Sequence, residues 1–197
     1  MTKRDEQKER RRIKILETAL DLFIRKGYGE TKISDIAKAA NMSMGLLFHY
    51  FSSKEALYET LIKIGCEKLK MDLPISNASS IAIFKTAAED FLSLIKSSPF
   101  AAKMFVLMEN ANHLDILPHE VKQQLIEGDT IIQKSISIIK EGQKRGEIKE
   151  GDPEALSVAF WCSIQGIAQH IALYPSAPCP EADWLISIIE RKRSDSA

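Results

Sequence analysis

Cysteine is scarce in this chain, which has 3 Cys among 197 residues. Cys66, Cys162 and Cys179 are odd in number and show no Cys-x-x-Cys spacing. They therefore form neither the paired framework of a small secreted protein nor a zinc motif of that type. The cysteine content predicts a protein of the reducing cytoplasm.

Long hydrophobic runs are also missing. No apolar stretch approaches the roughly 20 residues that a membrane-spanning helix needs, and charged residues make up 27% of the chain. The charged segment at 3–6 is not followed by an apolar segment, so we expect no secretion signal. These features predict a cytoplasmic protein without a membrane partner.

Motifs of enzymes and metal sites are missing as well. The sequence has no H-E-x-x-H, no G-x-S-x-G and no glycine-rich phosphate loop. One group of possible metal ligands, His113, Asp115, His119 and Glu120, matches no standard zinc spacing. We expect no catalytic residue, no metal and no cofactor, and an enzyme remains only an alternative.

The net charge of zero conceals a difference between the two ends of the chain. Residues 1–57 hold 12 Lys and Arg against 8 Asp and Glu, whereas residues 58–197 hold 15 against 19. The basic surplus lies in Lys3, Arg4, Lys8, Arg10, Arg11, Arg12 and Lys14. Such an arm is typical of a solvated, disordered tail or of a contact with a polyanion.

Apolar residues recur at helical spacing, and no segment alternates as a strand does. Ile13, Leu16, Leu20 and Phe23 mark a first helix that Gly27 ends. The pattern predicts an all-α fold of about nine helices, at 11–26, 32–40, 44–50, 53–69, 81–97, 99–112, 118–145, 152–174 and 181–193.

The segment from Thr31 to Leu57 has the features of a helix-turn-helix. Thr31 is placed to cap the second helix, and Ser43 is placed to cap the third. Asn41 follows the second helix, where a helix end favours a residue that tolerates left-handed geometry. Two short helices joined by so tight a turn place the second of them in the DNA major groove.

Residues around the third helix indicate contacts with phosphate. Gly45 in its first turn costs about 1 kcal/mol relative to Ala, which close approach to a DNA backbone would explain. Ser52 and Glu55 have capping-box spacing, which places Lys54 in the first turn of the fourth helix, where free amides bind anions. The rings of Phe48 and Phe51 are expected in the core.

These positions together resemble the TetR family of bacterial transcription regulators, from about Ile13 to Leu61. The remainder of the chain is similar in architecture only. The resemblance implies DNA contacts at Thr31, Lys32, Ser43, Met44, Gly45, Leu46, His49, Tyr50 and Lys54. Met44, Leu46 and His49 stand where family members contact bases. Phe48 replaces the usual Tyr, and Met44 replaces a residue that is commonly polar or basic.

The predicted helix 152–174 is apolar on nearly all sides, so a second subunit is expected to cover one face. The helix at 181–193 is expected to be the other member of a four-helix dimer seam. An isologous dimer would also match two operator half-sites. The expected interface residues are Ser163, Gly166, Ile167, His170, Trp184 and Ile188.

Aromatic and methionine side chains in the C-terminal half could line an adaptable ligand pocket. The candidates are Phe84, Phe91, Met104, Phe105, Met108 and Phe160, with Gln165, Glu109, Asn110 and Asn112 to orient a polar group. On spacing alone these residues are equally typical of plain core. The family resemblance implies an inducer cavity, here for an apolar or amphipathic ligand.

We therefore predict a DNA-binding domain at 1–55 and a helical ligand-binding and dimerisation domain at 56–197. The predicted function is that of a ligand-responsive repressor, which binds a palindromic operator in double-stranded DNA as a homodimer. Repression is the usual mode of the family, and activation remains open. The main alternative is a helical adaptor that has lost DNA recognition. The sequence specifies neither the effector nor the operator.

Overall fold

The computed structural model describes residues 2–68, 73, 78–111, 117–119, 122 and 131–192. This part of the chain has nine helices and, instead of a sheet, one isolated bridge between Ile148 and Glu190. In chain order the helices are α1 (Lys3–Glu30), α2 (Ile33–Ala39), α3 (Met44–Tyr50), α4 (Lys54–Lys68), α5 (Ser80–Ser97), α6 (Pro99–Ala111), α7 (Ile131–Lys144), α8 (Pro153–Leu173) and α9 (Ala182–Ile186). The predicted all-α class is confirmed.

Helix α1 starts well before the first apolar residue of its periodic pattern. Thr2 and Asp5 cap each other at its start, with the Thr2 N–H donating to the Asp5 carboxylate at 3.0 Å. The basic arm is therefore helical and not a disordered tail. The backbone breaks at Gly27, with φ 80° and ψ 161°, as the sequence predicted.

The chain packs as two compact units. Unit 1 comprises residues 1–69 and 103–125, and unit 2 comprises residues 70–102 and 126–197. Helix α6 crosses the boundary between them after Ala102. The functional division at residue 55 stays a prediction.

The core of unit 1 brings the first four helices together around fully buried side chains. These include Leu20 of α1, Ile36 of α2, Leu47 of α3 and Leu61 of α4. Each of them lies on the apolar stripe of its helix, so burial of that stripe accounts for the packing. The arrangement leaves the opposite side of the short helix α3 facing solvent.

In unit 2, helices α7 and α8 pack along each other and enclose buried polar groups. The Trp161 indole N–H donates to the Ser135 hydroxyl at 2.7 Å, and the Ser157 hydroxyl donates to the Ile132 carbonyl at 3.0 Å. Because an unpaired buried polar group is costly, these bonds favour one register between the two helices. Helix α7 confirms the second half of the predicted helix 118–145, whose residues 120, 121 and 123–130 lie outside the described part.

The predicted helix at 181–193 is wrong beyond Ile186. The chain makes tight turns after that residue and then pairs with the segment that joins α7 to α8. The Lys149 N–H donates to the Ile189 carbonyl at 2.9 Å, and the Arg191 N–H donates to the Glu147 carbonyl at 3.0 Å. These bonds take backbone groups that a continuing helix would have used, so the helical periodicity is overridden.

Among the described residues, α8 is the single helix that is long and apolar enough to cross a membrane by itself. Its most apolar window has a mean hydropathy of 1.3 and is 39% buried. The core helix of a soluble protein has the same features, so the helix is weak evidence for a membrane span.

Candidate DNA-binding site

The turn between α2 and α3 has the hydrogen bonds of a Schellman motif. The Met42 N–H donates to the Ala37 carbonyl at 2.9 Å, and the Asn41 N–H donates to the Lys38 carbonyl at 3.1 Å. Asn41 has a φ of 58°, so the predicted left-handed residue is confirmed. This motif sets the angle at which the chain leaves α2 and enters α3.

Helix α3 is held at its start, its middle and its end. The Ser43 hydroxyl accepts from the Leu46 N–H at 3.2 Å, which confirms the predicted N-cap. Leu47 is fully buried, and Phe51 at the C-cap is 5% exposed. Because both anchors lie on one side, the other side of the helix is presented to solvent.

The exposed side of α3 carries most of the residues predicted to contact bases. Met44, Gly45 and His49 are exposed, and Leu46 is half-buried. Tyr50 is also half-buried, and its ring packs edge-on against His49 with centroids 5.6 Å apart. The structure therefore brings these five predicted residues to one short helix.

Phe48 is the residue of this surface that the sequence prediction missed. It was expected in the core, but its side chain is 46% exposed. Leu46, Leu47 and Phe48 are consecutive, and successive residues of a helix are about 100° apart, so one buried stripe cannot hold all three. The signal that could have placed it is its separation of four residues from Met44, which puts both on one face.

Thr31 is buried within unit 1 and does not cap α2. Its hydroxyl is 2.7 Å from the Gly27 carbonyl and 3.3 Å from the Leu22 carbonyl. The N-cap of α2 is Lys32, which makes no side-chain capping bond. The predicted cap is wrong because two carbonyl groups of α1 take the hydroxyl, and the DNA contact of Thr31 stays a prediction.

Lys54 joins the start of α4 to the end of α1. Its ammonium group donates to the carbonyls of Tyr28 and Thr31, both at 2.9 Å, and lies 4.1 Å from the centroid of the Tyr28 ring. Cations near a helix C-terminus satisfy carbonyls that lack helical partners. Lys54 thus has a structural role in unit 1, beside the phosphate contact that stays a prediction.

The predicted capping box of Ser52 and Glu55 is wrong in both members. Ser53 is the capping residue, since its hydroxyl accepts from the Ala56 N–H at 3.1 Å. Glu55 instead accepts from the Tyr28 hydroxyl at 2.8 Å. The backbone N–H of Glu55 itself, and then the Tyr28 hydroxyl, lower the pKa of the Glu55 carboxyl. The first turn of α4 is therefore tied to α1 by both Lys54 and Glu55.

Next to α3 lies an open groove of about 410 Å³ that contains cationic and hydroxyl groups. It is lined by Gly29, Thr31, Lys32, Ile33, Phe48, Ser52, Ser53, Lys54 and Glu55. Lys32 is exposed at the start of α2, where its charge is available to an anion. The groove places a positive edge beside the exposed face of the recognition helix.

The predicted ligand-pocket residues fall in both units. In unit 2, Phe84 and Phe160 are fully buried and pack edge-on with centroids 5.0 Å apart, while Phe91 is buried and Gln165 half-buried. In the α6 segment of unit 1, Met104 is buried, and Phe105, Met108 and Glu109 are half-buried, with Asn110 exposed. The pocket stays a prediction, and Asn112 lies outside the described residues.

The predicted dimer residues leave much apolar surface in contact with solvent. Gly166 and His170 of α8 are exposed, and Trp184 is 64% exposed. Ser163, Ile167 and Ile188 are half-buried. Of the candidate metal ligands, His119 is exposed, whereas His113, Asp115 and Glu120 lie outside the described residues.

Residues 15–61 match the family model of the bacterial regulatory proteins of the tetR family. The chain is 26% identical over 176 residues to the HTH-type transcriptional regulator YfiR of Bacillus subtilis (strain 168), covering 86% of this chain and 83% of that protein. It is 29% identical over 158 residues to the HTH-type transcriptional regulator RutR of Escherichia coli (strain K12), covering 78% and 72%.

The fold is also similar to that of AibR, solved in complex with isovaleryl coenzyme A and operator DNA. The two chains superpose with a TM-score of 0.62 at 17% identity, over 90% of this chain and 94% of that one. At this identity the likeness concerns the architecture.

A capped turn that presents one face of α3 defines a helix-turn-helix protein of the transcription-regulator class. Through its N-terminal domain, the chain belongs to the TetR family of bacterial regulatory proteins. That family is regulatory and not enzymatic.

Proposed function

We propose that this regulator is a repressor, which binds a palindromic operator as a homodimer and leaves it when a small apolar or amphipathic ligand binds. The observation that carries the proposal is the exposed face of α3, with Met44, Phe48 and His49 beside the cationic Lys32. Side chains on such a face can reach base edges, while the flanking charge attracts phosphate.

Dimerisation through α8 is supported by its uncovered apolar side. Val158 is 40% exposed, and a Cβ added at the exposed Gly166 would meet nothing within 4 Å. A two-fold partner would remove this surface from water and supply the second recognition helix. We expect Gly166→Arg to convert dimer to monomer in light scattering, whereas Gln133→Arg on the exposed side of α7 should leave the dimer intact.

The ligand class is supported by the aromatic and methionine content of the predicted pocket. AibR, a protein of similar fold, was solved with isovaleryl coenzyme A and operator DNA together. A ligand that binds the DNA-free state better lowers the affinity for DNA by a coupling free energy of about 1–3 kcal/mol. Short-chain acyl coenzyme A compounds are therefore a first panel for release from the operator.

We further infer that the chain has no catalytic activity of its own and acts in the cytoplasm. The regulatory nature of its family supports both points. A helical adaptor without DNA recognition is less favoured, because the exposed face and caps of α3 are intact.

The first experiment is selection from a randomised duplex library with the purified protein at near-physiological salt. Enrichment of an inverted repeat would support a dimeric, sequence-specific regulator, and its half-site spacing would report the dimer geometry. The selection is repeated with protein refolded free of any copurified ligand. Absence of enrichment from both preparations would refute the proposed function.

A further inference from the structure

Helix α3 exposes two large apolar side chains on the same face. Met44 is 36% exposed and Phe48 is 46% exposed, while Leu47 on the other side is fully buried. Residues four apart on a helix are neighbours. Between them Gly45 has open space where a Cβ would lie, so nothing in this unit shields the pair. The two side chains form one continuous apolar strip, here called the Met44–Phe48 strip.

The surroundings of the strip indicate a polyanionic partner. The Phe48 ring lines the groove that also contains Lys32 and Lys54. An apolar strip flanked by ammonium groups fits a surface that has negative charge at its rim and apolar groups within. The major groove of duplex DNA has this arrangement, with phosphates along its edges and, as its apolar feature, the C5-methyl group of thymine.

The chemistry of the two side chains excludes the usual polar readout. Phe has no hydrogen-bonding group, and the Met thioether is only a weak acceptor. Neither side chain can donate to the N7 and O6 atoms of guanine or bond both N6 and N7 of adenine, as Arg and Asn do. What both can do is pack on a methyl group, and the flexible Met adapts to its position.

We propose that the Met44–Phe48 strip recognises thymine methyl groups and that each half-site of the operator contains two thymines for this purpose. This inference rests on the proposed function. Four residues of helix rise by about 6 Å, and base pairs are stacked about 3.4 Å apart, so the two methyl groups lie about two base-pair steps apart.

The test uses the inverted repeat that the library selection yields. Each thymine is replaced in turn by deoxyuridine, which removes the methyl group and keeps every hydrogen-bonding atom. We expect about fourfold weaker binding per methyl lost at the two recognised positions. Replacement in both half-sites together should weaken binding about 16-fold. A C·G pair at such a position should bind weakly, and 5-methylcytosine should restore part of the loss.

Variants assign each methyl to its side chain. Phe48→Ala should bind the thymine and deoxyuridine duplexes equally at one position, and Met44→Ala should do so at the other. Both side chains are exposed, so circular dichroism melting should change little. Val158→Ala, which truncates a side chain of similar exposure in unit 2, should leave the methyl dependence intact.

The possible outcomes separate the inference from the proposed function. Sequence-specific binding that no deoxyuridine affects would overturn the inference and leave the function standing. Methyl dependence that persists in both alanine variants would overturn the assignment to these residues. Failure to select any operator would refute the function, and the inference with it.

Discussion

Replacement of Lys54 by Met tests whether the contacts at the end of α1 stabilise unit 1. Methionine keeps an unbranched side chain of similar length and removes the charge. The variant loses two charged hydrogen bonds of 2.9 Å to the Tyr28 and Thr31 carbonyls and a cation 4.1 Å from the Tyr28 ring centroid.

The expected cost follows from the number of contacts and their exposure. A hydrogen bond to a charged group contributes about 1.5–3 kcal/mol, and an exposed cation–π contact about 0.5–1 kcal/mol. Lys54 is half-buried, so solvent competes for both bonds, and the Met side chain still covers the Tyr28 ring. We expect the free energy of unfolding to fall by about 2 kcal/mol in urea denaturation.

The same variant tests the predicted phosphate contact. An ammonium group has three donors, and two of those on Lys54 are used within unit 1. If the third reaches phosphate, the slope of log affinity against log salt should become shallower by about 0.9 for each subunit. The operator affinity of Lys54→Met is measured between low and physiological salt, at a temperature where the variant is folded.

Lys38→Met is the matched control for stability, because Lys38 is exposed on α2. It should change the free energy of unfolding by less than about 0.5 kcal/mol. If Lys54→Met were no more destabilising than this control, the structural role of Lys54 would be refuted. An unchanged salt slope would remove Lys54 from the phosphate contacts even if the stability fell.

Three further predictions concern other positions. A Cβ added at Gly142 would lie 2.7–2.8 Å from side-chain atoms of Ile148 and Ser80, so Gly142→Ala should lower unfolding free energy by about 1–3 kcal/mol in denaturant titration; unchanged stability would contradict this close packing. Gly45→Ala should stabilise the free protein by up to about 1 kcal/mol, since the site is open, yet weaken operator binding; unweakened binding would contradict close backbone approach. Glu55 has a pKa below its ordinary 4.5, so its contribution to stability is present above pH 4.5 and is lost as pH falls through the lowered value; Glu55→Gln should flatten this acid-side loss, and an unchanged pH profile would refute the role.

Local chemistry accounts for what the sequence predicted correctly. Gly27 breaks α1, Asn41 takes the left-handed conformation, and Ser43 caps α3, as expected. Each of these features depends on atoms within a few residues along the chain, and glycine, asparagine and serine favour such positions for intrinsic reasons. The helix-turn-helix was therefore predictable from one short segment.

The errors concern side chains whose partners lie far along the chain. Thr31 was available to cap α2 until the carbonyls of α1 folded against it, and Glu55 until Tyr28 came within 2.8 Å. Phe48 was assigned to the core because its apolar character shows no direction. Which side of a short helix faces solvent is decided by what packs on the other side, here through the fully buried Leu47.

The end of the chain shows the same division between sequence and tertiary structure. Sequence by itself determined an all-α protein with a DNA-recognition motif, because helical periodicity and capping are local properties. Only the tertiary structure ended α9 at Ile186, since the backbone of Glu190 pairs with that of Ile148, distant in sequence. A backbone hydrogen bond depends on which groups folding brings together, and periodicity within one segment carries no information about that partner.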